Sequence, residues 1–110
     1  MKNHKMPGWK GYAPIALLAL RPDELKARAR LEFREAHDDL DVLQESAFSG
    51  ARGTVFGLVS YPHSGVPGTE LLAHEQDLHR GIEDLLDEAL DSLRVSRDAV
   101  RWVRPAFKLS

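Results

Sequence analysis

Between positions 22 and 48 the apolar residues Leu25, Ala29, Phe33, Ala36, Leu40, Leu43 and Ala47 recur at spacings of three and four. That rhythm places them on one stripe of an α-helix with 3.6 residues per turn. Pro22 suits the first turn, and Asp23 and Glu24 suit the positive end of the helix dipole. Ser49, Gly50 and Gly53 end the segment. A second stretch, 69–93, carries Leu71, Leu78, Ile82, Leu85, Ala89 and Leu93, thickened by Leu72, Leu86 and Leu90. Thr69 stands ahead of it as an N-cap. Two such helices would occupy much of a 110-residue chain, so whatever lies between them must be short.

The intervening segments read as strands. Residues 13–20 are continuously apolar, as in a strand buried on both faces. Residues 54–61 are rich in β-formers and stop at Pro62. Near the carboxyl end, 99–104 contains Val100, Trp102 and Val103 and reads as a third strand. Strands separated by single helices favour parallel pairing through right-handed crossovers. The expected fold is therefore α/β: a two-layer β-α-β-α-β domain, with a three-stranded parallel sheet and two long amphipathic helices on one face. Residues 1–12 form an N-terminal arm whose Trp9 and Tyr12 dock somewhere, and 13–110 form a single domain. The other sheet face then needs cover from the arm or from a second subunit.

Composition narrows the chemistry. There is no cysteine, which excludes disulfides, thiolate metal sites and cysteine nucleophiles and fits a reducing compartment. The apolar run 14–20 follows Lys2, Lys5 and Lys10 as in a signal peptide. It is short, however, and passes directly into Arg21-Pro22-Asp23-Glu24. No stretch approaches the ~20 apolar residues of a membrane span. A cytoplasmic protein without a membrane role is expected. The formal net charge of -2 gives no global attraction to nucleic acid.

Three local constellations remain. The first is acidic. Asp38, Asp41 and Glu45 fall in the second half of the first helix, and Asp84, Asp87 and Asp91 in the second helix. Acids late in a helix run against its dipole, and Asp87 and Asp91 form a like-charge i,i+4 pair. Parallel packing of the helices would merge the two sets into one negative surface.

The second constellation lies at the strand ends. Arg21-Pro22, Tyr61-Pro62 and Arg104-Pro105 each close a strand. In a parallel sheet Arg21, Tyr61, His63, Ser64 and Arg104 would gather at one edge, with Gly65, Gly68 and Thr69 ahead of a helix N-terminus. Such an edge holds a phosphate or carboxylate and offers His63 as acid or base.

The third is basic. Arg94, Arg97, Arg101, Arg104 and Lys108 recur at spacings of three and four. The phrase Leu93-Arg94-Val95-Ser96-Arg97 resembles the turn before the recognition helix of bacterial helix-turn-helix regulators, with Arg94 at their turn glycine. The resemblance spans 88–104 and implies DNA contacts from Arg94, Arg97, Arg101 and Arg104. Read as a strand, the same segment carries no such stripe.

No metal or cofactor is implied. His74 and His79 are five apart, not the four that share a helix face. No catalytic set of residues emerges. The reading that follows is a non-enzymatic binding or regulatory protein, in the manner of an inhibitor, immunity protein or antitoxin, that presents its acidic helical face to a basic protein partner. A small enzyme or anion-binding domain using the 60–69 loop is the first alternative. A DNA-binding regulator is the second, and nucleic acid ranks below protein as a partner. The 22–48 helix, basic first and acidic second, would also pair antiparallel with its copy in a two-fold homodimer.

Overall fold

The computed structural model describes residues 9–37, 42–63 and 68–105. The chain runs β1 (Tyr12–Leu18), α1 (Pro22–Ala29), β2 (Arg34–His37), β3 (Val42–Ser49), β4 (Val55–Ser60) and β5 (Thr69–His74). A 3-10 turn (Glu75–Arg80), α2 (Ile82–Leu93), a second 3-10 turn (Arg97–Ala99) and β6 (Val100–Val103) complete it. The six strands form one sheet in the order β2-β3-β4-β5-β1-β6, and every neighbouring pair is antiparallel.

This overturns the expected three-stranded parallel sheet. The parallel reading assumed that a helix separates each pair of strands. In fact the two segments read as long helices each contain strands. The first helix stops after eight residues, where Arg30 takes the left-handed conformation (φ 53°). The following residues then alternate between two faces. Ala36 pairs with Leu43, and Arg34 pairs with Glu45. In the second segment Thr69–His74 is a strand that pairs on both edges. Helix α2 begins only after Gly81, whose φ of 94° few other residues adopt. The helix expected to span 22–48 and to pair with its copy in a homodimer is confined to Pro22–Ala29.

Both helices lie on one face of the sheet. Ile15, Leu18, Phe48, Phe56, Leu58 and Leu71 from the strands meet Leu25 of α1 and Leu85, Leu86, Ala89 and Leu93 of α2 in a single buried cluster. Phe48 and Phe56, paired across β3 and β4, stack at 5.3 Å. At about 25 cal/mol per Å² of apolar surface, this layer supplies the main favourable term in folding. No helix among the described residues is long and apolar enough to cross a membrane.

The Leu93–Arg97 phrase acquires a structural reading. Arg94 is left-handed (φ 58°), its N–H donates to Asp91 O, and Val95 N–H donates to Leu90 O. This is the two-bond pattern of a Schellman helix end, with Val95 and Leu90 buried beside it. In this chain the phrase Leu93–Arg97 marks the end of α2. The chain then enters a 3-10 turn and β6, where the resemblance implied a recognition helix.

Candidate functional site

The sheet face turned away from the helices keeps polar side chains within reach of solvent. Register aligns Arg34, Glu45, Val59, Glu70, Leu17 and Trp102 in one row, one residue from each strand in spatial order. At ~4.8 Å between strands the row is roughly 24 Å long. A parallel row holds Ala47, Gly57, Leu72 and Pro14. Leu43, Val59 and Leu72 form a small buried cluster here, with Trp9, Tyr12, Ala36 and Tyr61 packed against it.

Glu70 sits near the middle of the first row between Val59 and Leu17. No described side chain pairs with it. Half-burial among these apolar neighbours raises its carboxyl above the ordinary value, because desolvation penalises the charged form. Trp102, 44% exposed, closes the row at β6 and is the one large apolar side chain exposed among the described residues. At the opposite end Glu45 is only 6% exposed. Its Oε1 accepts from Arg34 Nε at 2.8 Å and its Oε2 from Trp9 Nε1 at 2.7 Å.

The sheet edges are poorly suited to accept an added strand. β2 and β6 have four residues each. β6 is also bulged at Arg101, where the register passes from Trp102↔Leu17 to Val100↔Leu18. Short, charged and bulged edges resist strand addition.

On the closed side a second carboxylate is fully employed. Glu88 of α2, 7% exposed, accepts from Arg80 Nη2 at 2.8 Å, Thr54 Oγ1 at 2.8 Å, Arg52 N at 3.0 Å and Thr54 N at 3.3 Å. Arg80 also donates to Asp84 and to Thr54 Oγ1. Burial opposes the charge on Glu88, but the hydrogen bonds from Arg80, Thr54 and Arg52 outweigh it and hold the carboxyl below its usual value. The Arg80 hydrogen bonds do the same for Asp84. Any Cβ on Gly50 would overlap the Glu88 side chain, so glycine is what lets the β3–β4 connection approach α2. This cluster fastens α2 to the sheet.

The residues singled out from sequence are dispersed. Asp38 and Asp41 lie outside the described residues. Glu45 is on the open sheet face, whereas Asp84, Asp87 and Asp91 are on α2 against the other face. Asp84 is bound by Arg80 and Arg52, and Asp87 has Arg97 at 3.6 Å. Asp91 is exposed. A groove of about 800 Å³ beside α2 is lined by Asp84, Asp87 and Asp91 but equally by Arg52, Arg94 and Arg97. The acids that seemed unaccompanied along α2 thus acquire arginines from distant positions, and the merged two-helix surface is absent.

Of the anion set, Arg21, Tyr61 and Gly68 line one hollow together with Asp23. Thr69 is buried and its hydroxyl donates to Leu20 O at 2.7 Å. Thr69–His74 is a strand, so the loop leads into no helix, and the helix end beside it is that of α1, through Arg21, Pro22 and Asp23. His63 is exposed, and Ser64 and Gly65 lie outside the described residues. Arg104 is at the other end of β1, with its N–H on Ile15 O, because antiparallel order separates carboxyl ends that parallel order would gather. Of the basic set, Arg94 caps α2, Arg97 pairs with Glu83 and Asp87, Arg101 lies within the outermost strand and Arg104 follows it. They form no helical stripe. Among the described residues no three His, Asp or Glu side chains group as metal ligands.

Sequence reasoning passed over Glu70 and Arg34 because both fell within supposed helices. A lone acid in the run Thr69-Glu70-Leu71-Leu72-Ala73 was the available signal. No protein-family model matches this chain, and no curated protein or solved structure is significantly similar to it.

Proposed function

We propose that the chain is a non-enzymatic binding protein that docks a basic segment of a partner protein on the open face of its sheet. One observation carries this reading: Glu70, an unpaired, half-buried carboxylate lying in a row between apolar Val59 and Leu17 and ending at exposed Trp102. A lysine or arginine flanked by apolar residues matches that row. Its cation would neutralise Glu70 and its neighbours would cover Leu17 and Trp102. Aromatic anchors of this kind commonly dominate binding energy. The bulged and short sheet edges favour docking on the face over strand addition. The expectation of a basic partner is thus kept, and its surface moves from the helices to the sheet.

The chain's two tryptophans, Trp9 and Trp102, both report on this face. Intrinsic fluorescence should change when an alternating lysine-leucine peptide is titrated in, and should stay unchanged with the glutamate-leucine counterpart. Glu70→Gln should weaken lysine-leucine binding by about tenfold, equivalent to ~1.4 kcal/mol, and reduce its salt dependence. Equal affinity for the two peptides would refute the reading.

A further inference from the structure

Trp9 lies on the open face where β4 has no side chain. A Cβ on Gly57 would overlap the six-membered ring of the indole, so the ring rests directly on the strand backbone. Tyr12 meets the indole edge-on, with centroids 5.3 Å apart and planes at 78°. The indole N–H points at Glu45, whose carboxylate is buried and already gripped by Arg34 from the neighbouring strand. Floor, wall and acceptor are therefore supplied by β1, β3 and β4, with β2 holding the acceptor. The main core lies on the opposite face, and on this face Trp9 packs against the smaller cluster of Leu43, Val59 and Leu72.

Trp9 is joined to the sheet by a short turn. Only Lys10 and Gly11 separate it from β1, and its carbonyl accepts the Tyr12 N–H at 3.0 Å. Gly11 has a φ of 81° and a Cβ there would crowd His74 Nε2, so the turn that presents Trp9 depends on glycine. A preformed recess filled by a side chain on a short tether is a receptor holding its own ligand.

We propose that the recess formed by Gly57, Tyr12 and Glu45 is an indole-binding site, filled in cis by Trp9 and able to take an indole side chain in trans when the Trp9 turn lifts. The ligand class follows from the recess. A flat ring fits over the glycine, and the buried carboxylate demands an N–H. The proposal does not rest on docking at Glu70.

Two measurements test it. Trp9→Ala should bind free indole with one-to-one stoichiometry and a concentration-dependent rise in melting temperature. It should bind 1-methylindole, which lacks the N–H, at least about tenfold more weakly. In the wild-type chain labelled with 5-fluorotryptophan, excess N-acetyltryptophanamide should move the fluorine resonance of Trp9 toward that of a solvent-exposed indole and leave Trp102 in place. Failure of Trp9→Ala to bind indole, or equal binding of the two indoles, would overturn the site. A Trp9 resonance unmoved by excess ligand would overturn the exchange, and this measurement decides if Trp9→Ala does not fold. Glu70→Gln should leave both results intact, which separates this site from the docking surface.

Discussion

Two carboxylates on opposite faces of this sheet, Glu88 and Glu70, are both drawn away from bulk water and meet different surroundings. On the helix-covered face Glu88 meets four donors, from Arg80, from the Thr54 hydroxyl and from the backbone of Arg52 and Thr54. On the open face Glu70 meets none among the described residues. A buried ion with a full set of hydrogen bonds locks the structure around it, and one without them stays costly until a partner arrives. Burial alone therefore does not mark a functional acid. Burial without partners is what separates Glu70 from Glu88, and on the proposed reading Glu88 serves architecture and Glu70 recognition.

The sharpest way to break this contrast is to remove Glu88. Glu88→Ala removes the acceptor of the Thr54 hydroxyl and of the Arg52 and Thr54 amides, leaves Arg80 to Asp84 and Thr54, and should cost about 3–5 kcal/mol in urea unfolding. A loss below ~1 kcal/mol would mean that the cluster is not a fastening. The same carboxylate has a pH signature. Because the folded-state pKa values of Glu88 and Asp84 lie below their ordinary ones, their stabilisation is present above the ordinary carboxylate range. It is lost as pH falls through the depressed values. Glu88→Gln should flatten that acid limb.

A smaller effect is expected on the open face from Gly57→Ala. The new methyl group displaces the Trp9 indole at a cost of about 1–3 kcal/mol, with a red shift of tryptophan emission. Unshifted emission would place the indole elsewhere. Smaller again is Trp102→Ser. As a surface change it should leave stability within ~0.5 kcal/mol, yet remove at least about 1 kcal/mol of basic-peptide binding. Unchanged peptide affinity would remove Trp102 from the docking surface.

The smallest effect has the opposite sign to the first. Glu70 has a raised folded-state pKa, so its ionised form opposes folding. Whatever it contributes is fully present below the ordinary carboxylate pKa and is lost as pH rises through the folded value. Glu70→Gln should therefore raise the melting temperature by a few degrees at neutral pH and have no such effect in acid. Equal melting temperatures at neutral pH would mean that Glu70 is not strained by its surroundings.

Much of the element list is legible before any coordinates. The apolar run at 13–20 covers β1 except for Tyr12, the β-formers at 54–61 contain β4, and Pro22 does open a helix. The strand reading of 99–104 encloses β6. What hid β2, β3 and β5 is arithmetic. A spacing of four residues returns to the same face of a helix and of a strand alike. Leu43 and Ala47, four apart, therefore satisfied a helical stripe while lying on one face of β3. The site was less legible than the fold. Trp9 and Tyr12 announced a docking arm, but Glu45 and Glu70 become informative only once register sets them in one row. Arg80 stands four residues before Asp84 and was legible as its partner, but Arg52 reaches Asp84 across the fold, a pairing not written in local charge.

The position of β1 has a consequence for how the chain is made. It is synthesised first yet sits between β5 and β6, the last strands to appear. The β2-β3-β4-β5 meander pairs neighbours close in sequence, so its loops close quickly. β1 has no edge to join until β5 has been made, and its far side stays unpaired until β6 follows. During translation its apolar residues Ile15, Leu17 and Leu18 are therefore exposed for most of the chain's length. Such a strand depends on prompt completion of the polypeptide, and pauses between β1 and β5 are where aggregation or chaperone capture would begin.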